Sequence, residues 1–139
     1  MQISLFVDFG LRVMMYLDQH SDRRATVAEI AESYKISRNH LVKVVHRLAT
    51  KGLIKSYKGK GGGITLAQPA RKVTIGQVVR AMKDNLEPVS RKKSRGPLSP
   101  GRELRGAFDE ALAAYLKALD RYTIADVSRA KARKLRLVG

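Results

Sequence analysis

The chain contains no cysteine, which removes disulfides, thiolate nucleophiles and thiolate metal ligands together. Acidic residues are scarce: 12 Asp and Glu face 28 Lys and Arg, for a formal charge of +16. Such an imbalance predicts a polyanionic partner, either nucleic acid or an acidic membrane surface. Long apolar runs are missing too. The stretch from Ile3 to Leu17 is broken by Asp8 and Arg12, is too short to span a bilayer and lacks a basic flank. It therefore predicts no signal peptide, no membrane partner and a cytoplasmic protein. Residues able to converge on one reaction centre are also lacking. His20, His40 and His46 do not fall at metal-ligand spacings, no Ser-His-Asp set stands out, and the adjacent Asp109 and Glu110 point to different helix sides. The expectation is a protein that is not an enzyme and holds neither cofactor nor metal.

What remains is a chain of 139 residues, 44% apolar, long enough for one packed domain and an extra element. Its largest basic block, residues 21–72, coincides with a helix-turn-helix pattern, which favours nucleic acid over membrane. Leu5 to His20 is helical and apolar on most sides, as for a helix buried between neighbours. Thr26 starts a second helix, with Glu29 completing a capping box. After a turn at Lys35 and Ile36, Ser37 suits the cap of a third.

In that third helix Leu41, Val44, Val45 and Leu48 form one buried stripe. Steps of about 100° put Asn39, Lys43 and His46 opposite it, flanked by His40 and Arg47. Amide, imidazole and cationic groups on one face suit a major groove. Gly52 ends the helix. Leu53 to Tyr57 and Ile64 to Leu66 then read as strands joined by KGKGGG, a hairpin with a mobile tip. The pattern is a winged helix. Ser37 and the amides near Arg38 suit phosphate, Asn39 suits adenine, Lys43 suits guanine, and His40 suits either phosphate or base. Thr26 and Arg47 join the candidate DNA contacts, as do Lys58, Gly59, Lys60, Gly61, Gly62 and Gly63 of the wing.

Thr74 begins a fourth helix, with Ile75, Val78, Val79 and Met82 at core spacing and no acid to complete a capping box. The organisation reads as a winged helix-turn-helix DNA-binding domain over 1–84, a basic Pro/Gly-containing loop over 85–100, a dimerisation helix and short terminal helix over 101–127, and a basic flexible tail over 128–139. The fold class is mainly α, with a small β-hairpin wing and a long C-terminal dimerisation helix. From Gly101 to Tyr122, the residues Leu104, Phe108, Leu112, Tyr115, Leu119 and Tyr122 approximate a heptad stripe. That stripe predicts a homodimer in which this helix crosses its copy. The alternative is packing back onto its own domain.

The segments ISRNHLVKVVHRL, KGKGGG, TIGQVVRAM and ALAAYLKALDRYTIADV resemble the Rrf2 family of winged-helix transcription regulators, most closely its nitric-oxide-responsive NsrR branch, from about Leu5 to Val127. The resemblance implies a homodimer on a partly palindromic operator of double-stranded DNA. Recognition helices would lie in successive major grooves, with wings toward minor grooves. It assigns DNA contact to Ser37, Arg38, Asn39, His40 and Lys43. Lys58 and Lys60 stand where the family usually has arginine, keeping the charge without the planar fork.

Sensors of this family commonly hold an iron–sulfur cluster through three cysteines before the dimer helix. Here that frame reads GPLSPGRELRG, with Gly96 and Arg102 at the second and third positions and the first near Ser90. None is a thiolate. Asp8 matches an acid that serves as a ligand in the NsrR branch, but without thiolates it is expected to make a structural hydrogen bond or ion pair. The reading is a cluster-free repressor, with a small effector or a DNA-facing SRKKSR arm as further possibilities. The competing classes are a general or architectural nucleic-acid binder and a sensor using His and Asp ligands.

Overall fold

The computed structural model describes residues 3–83 and 101–129. Helices α1 (Leu5–Gln19), α2 (Val27–Tyr34) and α3 (Arg38–Thr50) come first, followed by strands β1 (Ile54–Tyr57) and β2 (Gly63–Leu66). A 3-10 turn at Ala70–Lys72 leads into α4 (Ile75–Met82) and then α5 (Arg102–Leu119). Residues 124–129 are also helical. The loop expected over 85–100, including the SRKKSR block, and the tail beyond Arg129 lie outside the described residues.

The helix boundaries follow local chemistry. Ser4 caps α1 by accepting from the Val7 amide, and Thr26 caps α2 by accepting from the Glu29 amide. Lys35 turns the chain out of α2 in the left-handed region at φ 55°, while the Ile36 amide reaches back to Ala31 O at 2.9 Å. Backbone closure of this kind ends a helix cleanly and normally favours glycine at the left-handed position. The helix from Thr74 does carry a capping box. Gln77, an amide instead of an acid, returns its side chain to the Thr74 N–H at 2.8 Å.

Packing then follows the apolar periodicity. The α3 stripe of Leu41, Val44, Val45 and Leu48 is buried against α1, with Val7, Val13, Met14 and Leu17 from that helix. Ile30 of α2, Ile54 and Ile64 of the sheet, and Val78, Val79 and Met82 of α4 complete the core. Each such side chain contributes about 1.5–3 kcal/mol by leaving water, against about 1 kcal/mol for a helix cap. The stripe therefore outweighs the caps in holding α3 in place. Gly10 lets α1 and α4 close up, since a Cβ there would stand 3.0 Å from the Met82 side chain.

The sheet is antiparallel, with Ile54 opposite Leu66 and Tyr57 opposite Gly63. Ala25 adds a bridge on the far side of β2, exchanging hydrogen bonds with Ile64 at 3.0 and 2.8 Å.

Two boundary readings need correction. Helix α5 stops at Leu119 instead of Tyr122, because the chain turns to bond Tyr122 O to the Ile75 amide and the Ile124 amide to Val73 O, both at 2.8 Å. Ser128 is not the start of a loose tail: it is 2% exposed, within the terminal helix. Helix α1 buries Val7, Gly10, Val13, Met14, Tyr16 and Leu17 between its neighbours, while Leu5 at its start is 71% exposed. The second half of α5 packs on its own domain through Leu112, Tyr115, Leu116 and Leu119, while Leu104 and Phe108 in the first half remain exposed.

Candidate nucleic-acid interface

Burial of the α3 stripe decides which side chains are left outside. Arg38, Asn39, His40, Lys43 and His46 are all exposed, on one continuous face. Ser37 occupies the cap position, but its side chain makes no capping bond. The first turn of α3 thus presents amides without a side-chain partner from that residue, and no acidic residue stands in that turn. Both features favour an anion at this end. Val42 shares the outer surface at 52% exposure. Val42 belongs neither to the buried stripe nor to the polar residues of that face.

Arg47 departs from the candidate set. It is half-buried, and its Nε donates to Ala81 O at 3.0 Å, so this arginine belts α3 to α4. Its position beside the buried stripe, rather than opposite it, was the available signal.

The wing stands beside α2 and α3. A cleft of about 500 Å3 runs between them, lined by Thr26, Val45, Tyr57 and the glycines Gly59, Gly61 and Gly62 among others. The cleft brings Thr26 and the hairpin tip into one concavity. Lys58 and Lys60 are exposed at that tip.

The glycine-rich turn is specified, not loose. The Gly62 amide bonds to Gly59 O at 3.0 Å. A Cβ on Gly62 would collide with the Tyr57 carbonyl oxygen and stand 2.8 Å from that of Gly59. Both neighbours are backbone and cannot move aside without opening the turn.

Arg23 and Arg24 lie in the short connector between α1 and α2. In the fold they part company. Arg23 Nη1 lies 2.7 Å from Glu29 Oε1, and Tyr16 donates to the same oxygen at 3.1 Å. Burial pushes the Glu29 carboxyl upward, but hydrogen bonds from the Thr26 backbone, Arg23 and Tyr16 outweigh it and leave its pKa lowered. Arg24 turns the other way. Its Cζ sits 3.7 Å from the Tyr57 ring centroid, and its Nη1 donates to Gly61 O at 3.1 Å. Only a contact spanning 37 positions reveals this, and no local pattern encodes it.

The donor set does not fit an iron–sulfur cluster. The chain has no thiolate. Asp8 Oδ2 is engaged by Arg12 Nε at 2.8 Å, and Arg102 is an exposed cation in the first turn of α5. Ser90 and Gly96 lie outside the described residues. Among the described residues no three His, Cys, Asp or Glu side chains gather as metal ligands, and no helix is long and apolar enough to cross a membrane.

Residues 3–130 match the family model of Rrf2, described as an iron-dependent transcriptional regulator. The chain is 42% identical over 131 residues to the HTH-type transcriptional regulator NsrR of Shouchella clausii, covering 91% of this chain and 88% of that one. It is 40% identical to NsrR of Halalkalibacterium halodurans, covering 91% and 90%. Among solved structures, CymR, the global cysteine regulator of B. subtilis, superposes with a TM-score of 0.73 at 25% identity, over 94% of this chain and 98% of that one. IscR of T. potens matches in fold, with a TM-score of 0.75 at 22% identity over 94% and 88%.

Proposed function

The chain belongs to the Rrf2 family of DNA-binding transcriptional regulators and is not an enzyme, and on that premise we propose that it acts as a homodimeric, cytoplasmic repressor on a partly palindromic operator, without an iron–sulfur cluster. The observation that carries this reading is the exposed face of α3, from Arg38 to His46, set beside a wing whose tip carries Lys58 and Lys60. Lys43 and Asn39 read base edges, and Val42 meets a thymine methyl. Ser37, Arg38, His40, Thr26, Lys58 and Lys60 hold phosphates and set the register. Arg47 acts from behind, by fixing α3 on α4.

Dimerisation is supported by the uncovered half of α5. Leu104 and Phe108 are 50% and 45% exposed, on the same stripe whose members Leu112, Tyr115 and Leu119 are partly buried against the domain. A second copy crossing there would bury them and space the two α3 faces one helical turn of duplex apart. A small effector is the favoured signal because one location suits it. A mainly apolar groove of about 490 Å3 lies between α1 and the end of α5, lined by Leu11, Met15, Tyr34, Ile75 and Tyr122, with the Asp8–Arg12 pair among its walls. That volume fits a small ligand.

Binding-site selection with the full chain tests the reading, followed by two substitutions. Lys43→Ala is expected to change the selected bases, and Lys60→Ala to weaken all sites alike. Identical effects from both would refute the assigned roles. An architectural binder would instead show a preference for its best site far below the roughly thousandfold floor usual for regulators.

A further inference from the structure

We propose that Arg24, which lies outside both the recognition helix and the hairpin, supplies the guanidinium that the wing inserts into the minor groove. The inference rests on the DNA-binding reading and goes further, by naming the group that reads groove width. Between Leu53 and Leu66 the hairpin contains lysines but no arginine. An ammonium is a compact, strongly hydrated charge, whereas a guanidinium sheds water more readily and suits the enhanced negative potential of a narrow A·T-rich minor groove.

The fold brings such a group to the tip. Ala25 is locked to Ile64 by two backbone hydrogen bonds, so the residue before it leaves the connector alongside β2. The Arg24 guanidinium then lies over Tyr57 at 3.7 Å and donates one N–H to Gly61 O. This seat fixes the plane of the fork. An arginine has five N–H donors, and the bond to Gly61 occupies one of them.

The Tyr57 ring and the Gly61 carbonyl account for the position of the guanidinium but not for its uncompensated charge. No acidic partner pairs with Arg24 among the described residues, whereas the neighbouring Arg23 is neutralised by Glu29. Arg24 is exposed and shares the tip with Lys58 and Lys60 in a chain of formal charge +16. A third uncompensated cation beside two others is favourable where a polyanion approaches.

The test uses the full chain and the DNA site it selects, with affinity measured across a salt series. Arg24→Met keeps a long stem for Tyr57 and removes the charge. The slope of log K against log salt is expected to fall by about 0.9 per protomer. Arg24→Lys is expected to keep the slope yet lose the preference for A·T pairs flanking the site contacted by α3. A wild-type slope in Arg24→Met, or an unaltered flank preference in Arg24→Lys, would overturn the proposal and leave Arg24 as a brace. Failure of the wild-type chain to select any DNA site would refute the underlying DNA reading instead.

Discussion

Replacing Gly62 with alanine should separate the shape of the wing from its charge. The substitution adds one carbon and removes no cation. That carbon would collide with the Tyr57 carbonyl oxygen and crowd the Gly59 oxygen at 2.8 Å, so the turn that carries Lys58 and Lys60 must open. The core should tolerate this, because Ile54 and Ile64 are anchored below the tip and Ala25 holds β2 from the other side. If both lysines then leave their phosphates, the salt slope falls by about 1.8 per wing. Between 50 and 200 mM salt, a fourfold change, the wild type should lose about 12-fold more affinity per wing than the variant.

Gly61→Ala is the matched control. Its φ of +77° strains any side chain, but nothing stands within 4 Å of the added carbon. It should cost about 1–2 kcal/mol of local strain and keep the slope. Fluorescence anisotropy on a labelled duplex across salt reads both variants, with circular dichroism as the folding check. A folded Gly62→Ala protein with the wild-type slope would refute the claim that the wing lysines contact phosphate.

Phe108→Glu should convert the proposed dimer to monomer in light scattering coupled to size exclusion, since Phe108 is exposed and needs no rearrangement to accept charge; a persisting dimer would place the interface elsewhere. Glu29→Gln should remove part of the acid sensitivity of folding. The folded-state pKa of Glu29 is lowered, so its stabilisation is full above the pKa it has when unfolded and is lost as pH falls through its folded value. Melting temperatures of the two proteins should therefore converge in acid, and parallel curves would refute the link. Lys35→Gly should stabilise the protein by up to about 1 kcal/mol, because glycine accepts the left-handed backbone that Lys35 holds at φ 55°; a lower melting temperature would refute it.

Chain-local chemistry was legible in advance. The 3.6-residue period placed Leu41, Val44, Val45 and Leu48 inside and Asn39, Lys43 and His46 outside, as found. Alternation of β-prone and glycine-rich segments located the hairpin. The resemblance to the Rrf2 family rested on motifs that the comparisons then matched. Errors arose where a distant partner decided the outcome. Arg47 looked like a surface cation until the Ala81 carbonyl claimed it. Tyr122 continued a heptad count until the Ile75 amide pulled its carbonyl into a turn. Ser128 looked like part of a polar tail but is buried. The exception is local: Thr74 lacked the expected acid, and the Gln77 amide three positions on served the same purpose.

The order of residues alone determined the positive charge, the lack of any thiolate for a cluster, the faces of α3 and the existence of the hairpin. Each depends on composition or on neighbours three or four positions away. Tertiary structure alone decided that Arg23 is neutralised while Arg24 reaches the wing, and that half of α5 is covered while half is bare. Those outcomes depend on which groups the fold brings together, where burial and charge pairing are settled by the packed chain and not by spacing.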